Sequence, residues 1–455
     1  TGFWNDTAPT DTAFTLGVND NTNGNGNTYV AYLWADNTAE DAEEQMIECG
    51  SYTGNGSASG PVVDLGWEPQ FLITKVVNSN HWNIWDSTRG ITTDGGDKRL
   101  YTSLNNAENE SEKLQLTPTG FQIKSTSISI NTSGVESIYM AIRAPMMVEP
   151  KAAIDVFNID TAGANGDGVA PNYRSTFPVD FALHVRTGSG GPQAYSRLTG
   201  PKYLYTDSTN DEGETSQSTW DFMNGWYNQN SSQSTSTGQV VNMWKRAKGF
   251  FDVVAYTGTG AGGRTVNHSL GVTPEMIWVK KRTPAEAWTV YHEGVDASIP
   301  GEYFLALNET DTRSGSSRAW NNVAPTSSLF TLGDDSISNG SGHPYIAYLF
   351  TTLAGISKVG SYTGNGSSQT ISCGFSAGTR FLLIKRSDAD GAWYLWDSVR
   401  GIVSGNDPWK ALNTNDAQTT NTDLVDPHNS GFIVNQSTPQ SINVSGGNYI
   451  FYAIA

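Results

Sequence analysis

The sequence is poor in positive charge and in the residues that build metal or disulfide frameworks. Its 455 residues include 27 Lys and Arg against 45 Asp and Glu, a net charge of −18, with two cysteines and six histidines. Nucleic-acid binding depends on clustered Lys and Arg that release counterions, so this balance disfavours a nucleic-acid partner. Cys49 and Cys373 have no CxxC or His-spaced partner, so they predict neither a zinc site nor a disulfide scaffold.

Long apolar runs and catalytic motifs are missing as well. No stretch of about 18 apolar residues is present, and the N-terminus lacks the basic-then-apolar pattern of a secretion signal, so we expect no membrane partner. The sequence contains no Walker loop, GxSxG elbow or HExxH motif, and no carboxylate pair recurs at corresponding places of its repeats. These absences predict a protein that is not an enzyme and has no cofactor.

Glycine and aromatic residues are plentiful, with 48 Gly and 11% Phe, Trp and Tyr. This composition is typical of short strands joined by many polar turns.

The sequence also repeats itself. The motif A-P-T, then F-T-L-G, occurs from Ala8 and again from Ala324, and Y-V-A-Y-L at Tyr29 returns as Y-I-A-Y-L at Tyr345. G-S-Y-T-G-N-G occurs at Gly50 and again at Gly360. A duplication of this kind indicates that each copy is one structural unit.

Closing strands that recur about every hundred residues predict tandem antiparallel β-sandwiches, of jelly-roll or lectin-like type, in an all-β protein. We expect these folded bodies to follow one another as a string. The units are the C-terminal half of a type-a sandwich at 1–36 (the half unit), type b at 47–144 (unit 1), a divergent type c at 150–247 (unit 2), type a at 250–352 (unit 3), and type b at 358–455 (unit 4).

Further expectations concern the half unit, the connector that follows it and one loop of unit 2. Residues 29–34 should form its closing strand, because aromatic and β-branched residues favour extended structure. A sandwich without its first strands exposes sheet edges, so upstream sequence or a strand from a neighbouring chain should complete it. The acidic residues 40–44 are the best helix candidate, and the Ser/Thr/Gln-rich residues 231–238 should be mobile. The chain begins with Thr1 inside a repeat and without Met, which is typical of a fragment or a processed chain.

Two kinds of residue are candidates for ligand binding. A carboxylate and a guanidinium three residues apart could hold a polar ligand, or could staple a turn; the pairs are Asp86 with Arg89 and Asp397 with Arg400. Tryptophans at matching strand positions could stack on sugar rings, or could be core residues; these are Trp82, Trp85, Trp288, Trp393 and Trp396.

Weaker signals are an isolated histidine and two oxygen-rich loops. His292 has serines at its equivalent positions, which favours a structural role. The loops at residues 20–27 and 160–167 could offer oxygen ligands to Ca²⁺, but neither has the full EF-hand spacing, so we predict no metal site.

The repeated motifs together, G-S-Y-T-G-N-G, W-x-x-W/Y-D-S-x-R, and A-P-T-S-S-L-F-T-L-G followed by Y-I-A-Y-L-F, resemble a repeat domain of tail-fibre-like and other virion structural proteins of aquatic tailed phages. The resemblance covers the type-a and type-b units. It implies a virion or extracellular protein that associates with other copies or other virion proteins, with a host-surface glycan or protein as receptor and without catalytic residues. A subunit of an extracellular filament assembled by strand exchange is the alternative, followed by a glycan-degrading enzyme, which would need paired carboxylates.

Overall fold

The structure is a computed structural model that describes residues 2–36, 45–78, 81–87, 89–91, 97–110, 113–144, 147–161, 170–215, 218–228, 238–435 and 442–455. Within these residues the chain is nearly all β, with short α-helices at Asp20–Asn23 (α1), Ser317–Trp320 (α2) and Ser336–Asn339 (α3). Short 3-10 helices lie at Ala153–Asp155, Arg197–Thr199, Glu293–Val295 and Pro300–Glu302. The predicted all-β, sandwich-type fold is confirmed. The candidate helix at 40–44 and nearly all of residues 231–238 lie outside the described residues.

Every strand belongs to a sheet that lies within one unit. Unit 1 contains β1 Ile47–Thr53, β2 Val62–Asp64, β3 Pro69–Val76, β4 Asn83–Asp86, β5 Lys98–Tyr101, β6 Asn109–Glu110, β7 Leu114–Thr117, β8 Gly120–Ile123 and β9 Glu136–Arg143. Unit 2 contains β10 Phe157–Thr161, β11 Tyr173–Arg174, β12 Phe181–Arg186, β13 Gln193–Ser196, β14 Lys202–Tyr205, β15 Gly213–Glu214, β16 Ser218–Thr219, β17 Gly225–Asn228 and β18 Gln239–Trp244. Unit 3 contains β19 Phe251–Thr257, β20 Arg264–Asn267, β21 Met276–Lys281, β22 Trp288–His292, β23 Tyr303–Phe304, β24 Ser314–Gly315, β25 Leu329–Leu332 and β26 Pro344–Phe350. Unit 4 contains β27 Ser357–Thr363, β28 Gln369–Ser372, β29 Phe381–Arg386, β30 Trp393–Asp397, β31 Lys410–Ala411, β32 Val425–His428, β33 Gly431–Val434 and β34 Asn448–Ile454.

The four units share one topology. In each large sheet the closing strand lies between the opening strand and the next long strand, in the orders β1-β9-β3-β4-β5-β6, β10-β18-β12-β13-β14-β15, β19-β26-β21-β22 and β27-β34-β29-β30-β31. A small sheet faces it in each unit, in the orders β2-β8-β7, β11-β17-β16, β20-β25 and β28-β33-β32. All of the pairings are antiparallel, and apolar side chains fill the space between the two sheets.

The G-x-G motif that opens the type-b repeats closes one end of the sandwich in units 1 and 4. The side-chain oxygen of Asn131 accepts the backbone N–H of Asn55 at 2.7 Å, and Asn443 accepts that of Asn365 at 2.9 Å. A Cβ on Gly364 would lie 2.2 Å from the Val444 carbonyl oxygen, so the backbone passes too closely there for a side chain.

The alanines of the closing strands test the equivalence of the units. Ala141, Ala347 and Ala453 are each fully buried at the centre of a large sheet. Ala31 is exposed and lies in no strand. Three of the four positions are therefore equivalent, and the half unit differs.

The expected string of separate bodies is wrong, because one hydrophobic cluster runs from Tyr52 in unit 1 to Ile454 in unit 4. Its centre is aromatic and is shared by units 2, 3 and 4. Ring centroids of Phe181 and Tyr348 are 4.5 Å apart across units 2 and 3. Phe350 and Tyr452 are 5.0 Å apart across units 3 and 4, and Trp244 and Phe381 are 5.2 Å apart across units 2 and 4. Each of the three units thus contacts both others, and we call this arrangement the three-unit ring.

The half unit keeps its local structure but not its strand. The Tyr29 hydroxyl donates to the Asp20 carbonyl at 2.5 Å, as that of Tyr345 donates to Ser336 in unit 3 at 2.6 Å. The Asn23 amide donates to Gly17, as Asn339 donates to Gly333. Residues 29–34 nevertheless form no strand, so that prediction is wrong. The equivalent strand β26 has hydrogen-bonded neighbours on both sides, β19 and β21, and the half unit has no counterpart of either among the described residues.

Candidate functional site

The two Asp–Arg pairs are turn staples. Asp86 accepts the Nε of Arg89 at 2.7 Å and its backbone N–H at 2.8 Å. Asp397 accepts the same two groups of Arg400 at 2.6 and 2.8 Å, and both of these side chains are buried. Because the two oxygens of each carboxylate already bind within the turn, the staple interpretation is confirmed, and the Asp397–Arg400 pair is closed to a polar ligand.

Four of the five candidate tryptophans are core residues. Trp85, Trp288 and Trp396 have no exposed surface, and Trp393 is 1% exposed. A sugar ring cannot stack on a buried indole, so the prediction of a glycan platform is wrong for these four. Trp82, at 40% exposure, is the one whose ring is open to solvent. The prediction failed because the alternation of large apolar and polar residues along a strand does not indicate which face of the sheet another unit covers.

Trp288 and Trp393 instead bind the neighbouring unit of the three-unit ring. The Nε1 of Trp393 in unit 4 donates to the Ala306 carbonyl of unit 3 at 2.9 Å. The Nε1 of Trp288 in unit 3 donates to the Tyr205 carbonyl of unit 2 at 2.8 Å. The same contact is thus made twice, from equivalent residues to equivalent backbone carbonyls.

Two buried lysines add to these contacts. Lys385 donates to the carbonyls of Thr310 and Asp311 in unit 3, both at 3.0 Å. Lys280 of unit 3 donates to Thr209 of unit 2 at 3.3 Å. Burial lowers the pKa of each of these lysines to about 8. The repeated strand-end lysine was visible in the sequence, but its partner loop in another unit was not.

The third junction, between units 4 and 2, uses different groups. Val185 and Pro192 of unit 2 occupy the positions that Lys385 and Trp393 have in unit 4, and neither has a side-chain N–H. Backbone groups replace them: Gly190 N–H donates to the Asn415 carbonyl at 2.7 Å, and Gln418 N–H donates to Thr187 at 2.9 Å. The ring is therefore closed at all three junctions.

Unit 1 joins this ring through a buried charge cluster. The guanidinium of Arg246, which follows β18 at the end of unit 2, binds Glu68 of unit 1 at 2.8 Å and Asp252 of unit 3 at 2.7 Å. The backbone N–H of Arg246 donates to Asp180 at 2.7 Å. Three units meet at this arginine, whose pKa the carboxylates hold well above its usual value despite burial.

Unit 3 contains a carboxyl pair that the sequence did not predict, because Glu275 lies just before strand β21 and Glu293 lies in a 3-10 helix further along the chain. The Glu293 N–H donates to the Glu275 backbone carbonyl at 2.8 Å, and burial together with the Glu275 charge raises the pKa of Glu293 to about 7. A glycosidase separates its two carboxyl groups by about 5 to 9 Å to admit a sugar or a water. The Glu275 carboxylate is instead bound within the fold, where it accepts the backbone N–H of Thr352.

The remaining candidates are structural or lack ligand geometry. His292 accepts the Gly294 N–H at 3.0 Å, and burial lowers the pKa of its ring to about 4. In the loop at 20–27, residues 20–23 form α1, whose N-cap Asn19 accepts the Asn21 N–H, and a turn follows. Most of the loop at 160–167 lies outside the described residues. In the described part of the chain, no group of three or more His, Cys, Asp or Glu side chains is placed to hold a metal ion.

A shallow, open depression lies on unit 3. It is lined by Glu302, Tyr303, Gly315, Ser316, Ser317, Arg318 and Asn322. The guanidinium of Arg313 covers Tyr303 at 4.3 Å from the ring centroid. With a single carboxylate in its lining, this depression lacks the acid and base pair of a glycan hydrolase. None of the described helices is long and apolar enough to span a bilayer.

Comparison with known proteins identifies a family for the chain but indicates no activity. No curated protein matches the chain. One family model, described as a domain of unknown function (DUF7483), matches residues 1–145 and 199–455. The unmatched residues fall in the first part of unit 2, the unit whose sequence diverges from the others. Since the match spans most of the sequence, the chain belongs to the DUF7483 family.

Proposed function

We propose that the chain is a virion structural protein of the tail-fibre-like kind, which presents rigid β-sandwich units for adhesion to a host surface. The observation that carries the proposal is the three-unit ring, in which three sheets bury one aromatic cluster and so fix the units relative to one another. Loops on such a body can vary while the core holds their positions, which suits recognition of a glycan or protein receptor. The partners in this proposal are other virion proteins or further copies of the chain, at the virion or outside the cell.

The charge and the buried chemistry are compatible with this role. The net charge of −18 opposes binding to phosphate backbones. Two of the candidate tryptophans, Trp288 and Trp393, make contacts between units, as does the buried guanidinium of Arg246.

The experiment is to locate the protein and to measure its binding. Antibodies against the chain should label purified phage particles in electron micrographs, and the labelled chain should bind host cells. Periodate treatment of the cells should abolish binding if the receptor is a glycan, and protease treatment should abolish it if the receptor is a protein. Particles without the protein, together with no cell binding, would exclude the proposal, and turnover of a polysaccharide would favour the enzyme.

One observation favours the filament as a second candidate. Residues 29–34 are exposed and have the sequence of a central strand, which another chain could incorporate. However, each of the four large sheets already holds its own closing strand in the described residues, so the central position that this segment would take is filled in a second copy. Filaments of the purified chain in electron micrographs, lost in Tyr32→Asp, would favour this candidate.

A further inference from the structure

Two apolar surfaces are uncovered among the residues that the structure describes. The first is the segment at residues 29–34, where Val30 is 79% exposed, Tyr32 76% and Trp34 52%. The second is the outward face of the large sheet of unit 1, on the side away from its small sheet. Exposed apolar strips that match strands are sites where another β-element pairs or packs.

The face of unit 1 has the same residue types as a covered face of unit 4. Trp82 corresponds to Trp393, and the indole is 40% exposed in unit 1 but 1% in unit 4. Ile138 corresponds to Ile450, with exposures of 38% and 1%. Cys49 is exposed, whereas its counterpart Val359 is fully buried.

Unit 3, a type-a unit, supplies much of the cover in unit 4. Phe350 at the end of β26 lies 5.0 Å from Tyr452, ring to ring. The 3-10 helix Glu293–Val295 contacts the opening strand β27, in which Val359 lies. A type-b face is therefore covered by a type-a unit from the same repeat family.

The half unit contains the matching part of a type-a unit. Residues 29–34 correspond to residues 345–350 of β26, so Trp34 is the counterpart of Phe350. The turn before them is already built, because the hydroxyl of Tyr29 binds Asp20 and the N–H of Gly24 as Tyr345 binds Ser336 and Gly340. The two uncovered surfaces are thus the two sides of one type-a to type-b interface.

We propose that the outward face of unit 1 is a docking surface for a type-a unit whose second half is residues 2–36 of this chain. Residues 29–34 become the central strand of that unit when strands with the pattern of β19 and β21 flank them. The completed sheet then covers unit 1 as unit 3 covers unit 4. The inference rests on matched residues and exposures, and it does not depend on a role in a virion.

The test supplies the missing strands from the chain's own unit 3. Residues 250–316 are placed directly before Thr1, in the register that unit 3 has between residues 316 and 317, and the full chain follows. Cys49 reports on the face, because it is exposed in the chain as it stands, and Cys373, which is buried at 7% exposure, is the internal reference. The matched control is the same extended chain carrying Tyr32→Asp, which places a charge in the centre of the new sheet.

We expect alkylation of Cys49 to slow about tenfold in the extended chain, because a thiol must be accessible to react. Amide exchange at residues 29–34 should slow about 100-fold, since the segment gains a hydrogen-bonded partner on each side. Tyr32→Asp should reverse both changes while exchange in β26 stays slow, which would show that the three-unit ring remains folded. Unchanged exchange at 29–34 would overturn the proposal, and so would slowed exchange at 29–34 with Cys49 still reacting at its original rate.

Discussion

The indole hydrogen bond of Trp393 provides a direct test of how the three-unit ring is held. Trp393→Phe removes the N–H that donates to the Ala306 carbonyl at 2.9 Å and also removes part of a buried ring. The carbonyl keeps a weaker bond from the Glu309 N–H at 3.3 Å. The loss should therefore be that of one neutral hydrogen bond, about 1 kcal/mol, and not the larger penalty of an orphaned buried acceptor.

Trp278→Phe is the matched control for the lost ring volume. Trp278 is 2% exposed in the same central cluster, and its Nε1 has no hydrogen-bond partner within the described residues. Both variants should lose stability through packing, and Trp393→Phe should lose about 1 kcal/mol more.

The assay is urea unfolding followed by circular dichroism, with the free energy of unfolding of both variants compared with that of the parent. A difference of about 1 kcal/mol between the variants corresponds to about a fivefold change in the unfolding equilibrium constant. If the two variants lose equal free energy within about 0.3 kcal/mol, the bond contributes nothing to the junction and the reasoning fails.

Three further predictions concern other parts of the ring and its neighbours. The pKa of Lys385 is about 8 in the folded chain against an ordinary value of 10.5, so the unfolded chain binds more protons between these values and the free energy of unfolding should rise with pH there. Lys385→Met should show a shallower rise when the free energy of unfolding is measured at pH 7.5 and 9.5. Equal slopes in the parent and the variant would refute this. Arg246→Met leaves two buried carboxylates unpaired and should cost about 3 kcal/mol in chemical unfolding, whereas a loss below about 1 kcal/mol would contradict the junction described here. Gly364→Ala places a Cβ 2.2 Å from the Val444 carbonyl oxygen and should lower the thermal unfolding midpoint by several degrees. The control is Gly188→Ala, whose Cβ would have no atom within 4 Å and which should leave the midpoint unchanged. Equal midpoints in the two variants would show that the backbone relaxes freely.

The sequence predicted the strands well because their patterns are local. The repeated motifs located the strands near Phe71, Phe381 and Trp393, and each belongs to an antiparallel sheet. The Asp–Arg turns could also be predicted from the sequence, since the two partners lie three residues apart. A short sequence separation makes the contact almost independent of the rest of the fold.

The arrangement of the units could not be predicted in the same way. Phe381-Leu382-Leu383-Ile384 is apolar on both faces of its strand, which is typical of a sheet buried on both sides. That pattern predicts a second covering layer, but it does not identify the loop or the unit that provides it. The failure at residues 29–34 has a related cause, because a central strand exists only when both of its neighbours are present.

The ring of units 2, 3 and 4 is made by one polypeptide, and this changes how it responds to dilution. A trimer of separate subunits obeys mass action and falls apart below its dissociation constant. Here connectors of a few residues tether units 2, 3 and 4, so every junction between them forms at a fixed effective concentration. The assembly should stay intact as a single particle at any dilution. Each junction is also free to use its own chemistry, as the backbone amides of Gly190 and Gln418 between units 2 and 4 illustrate.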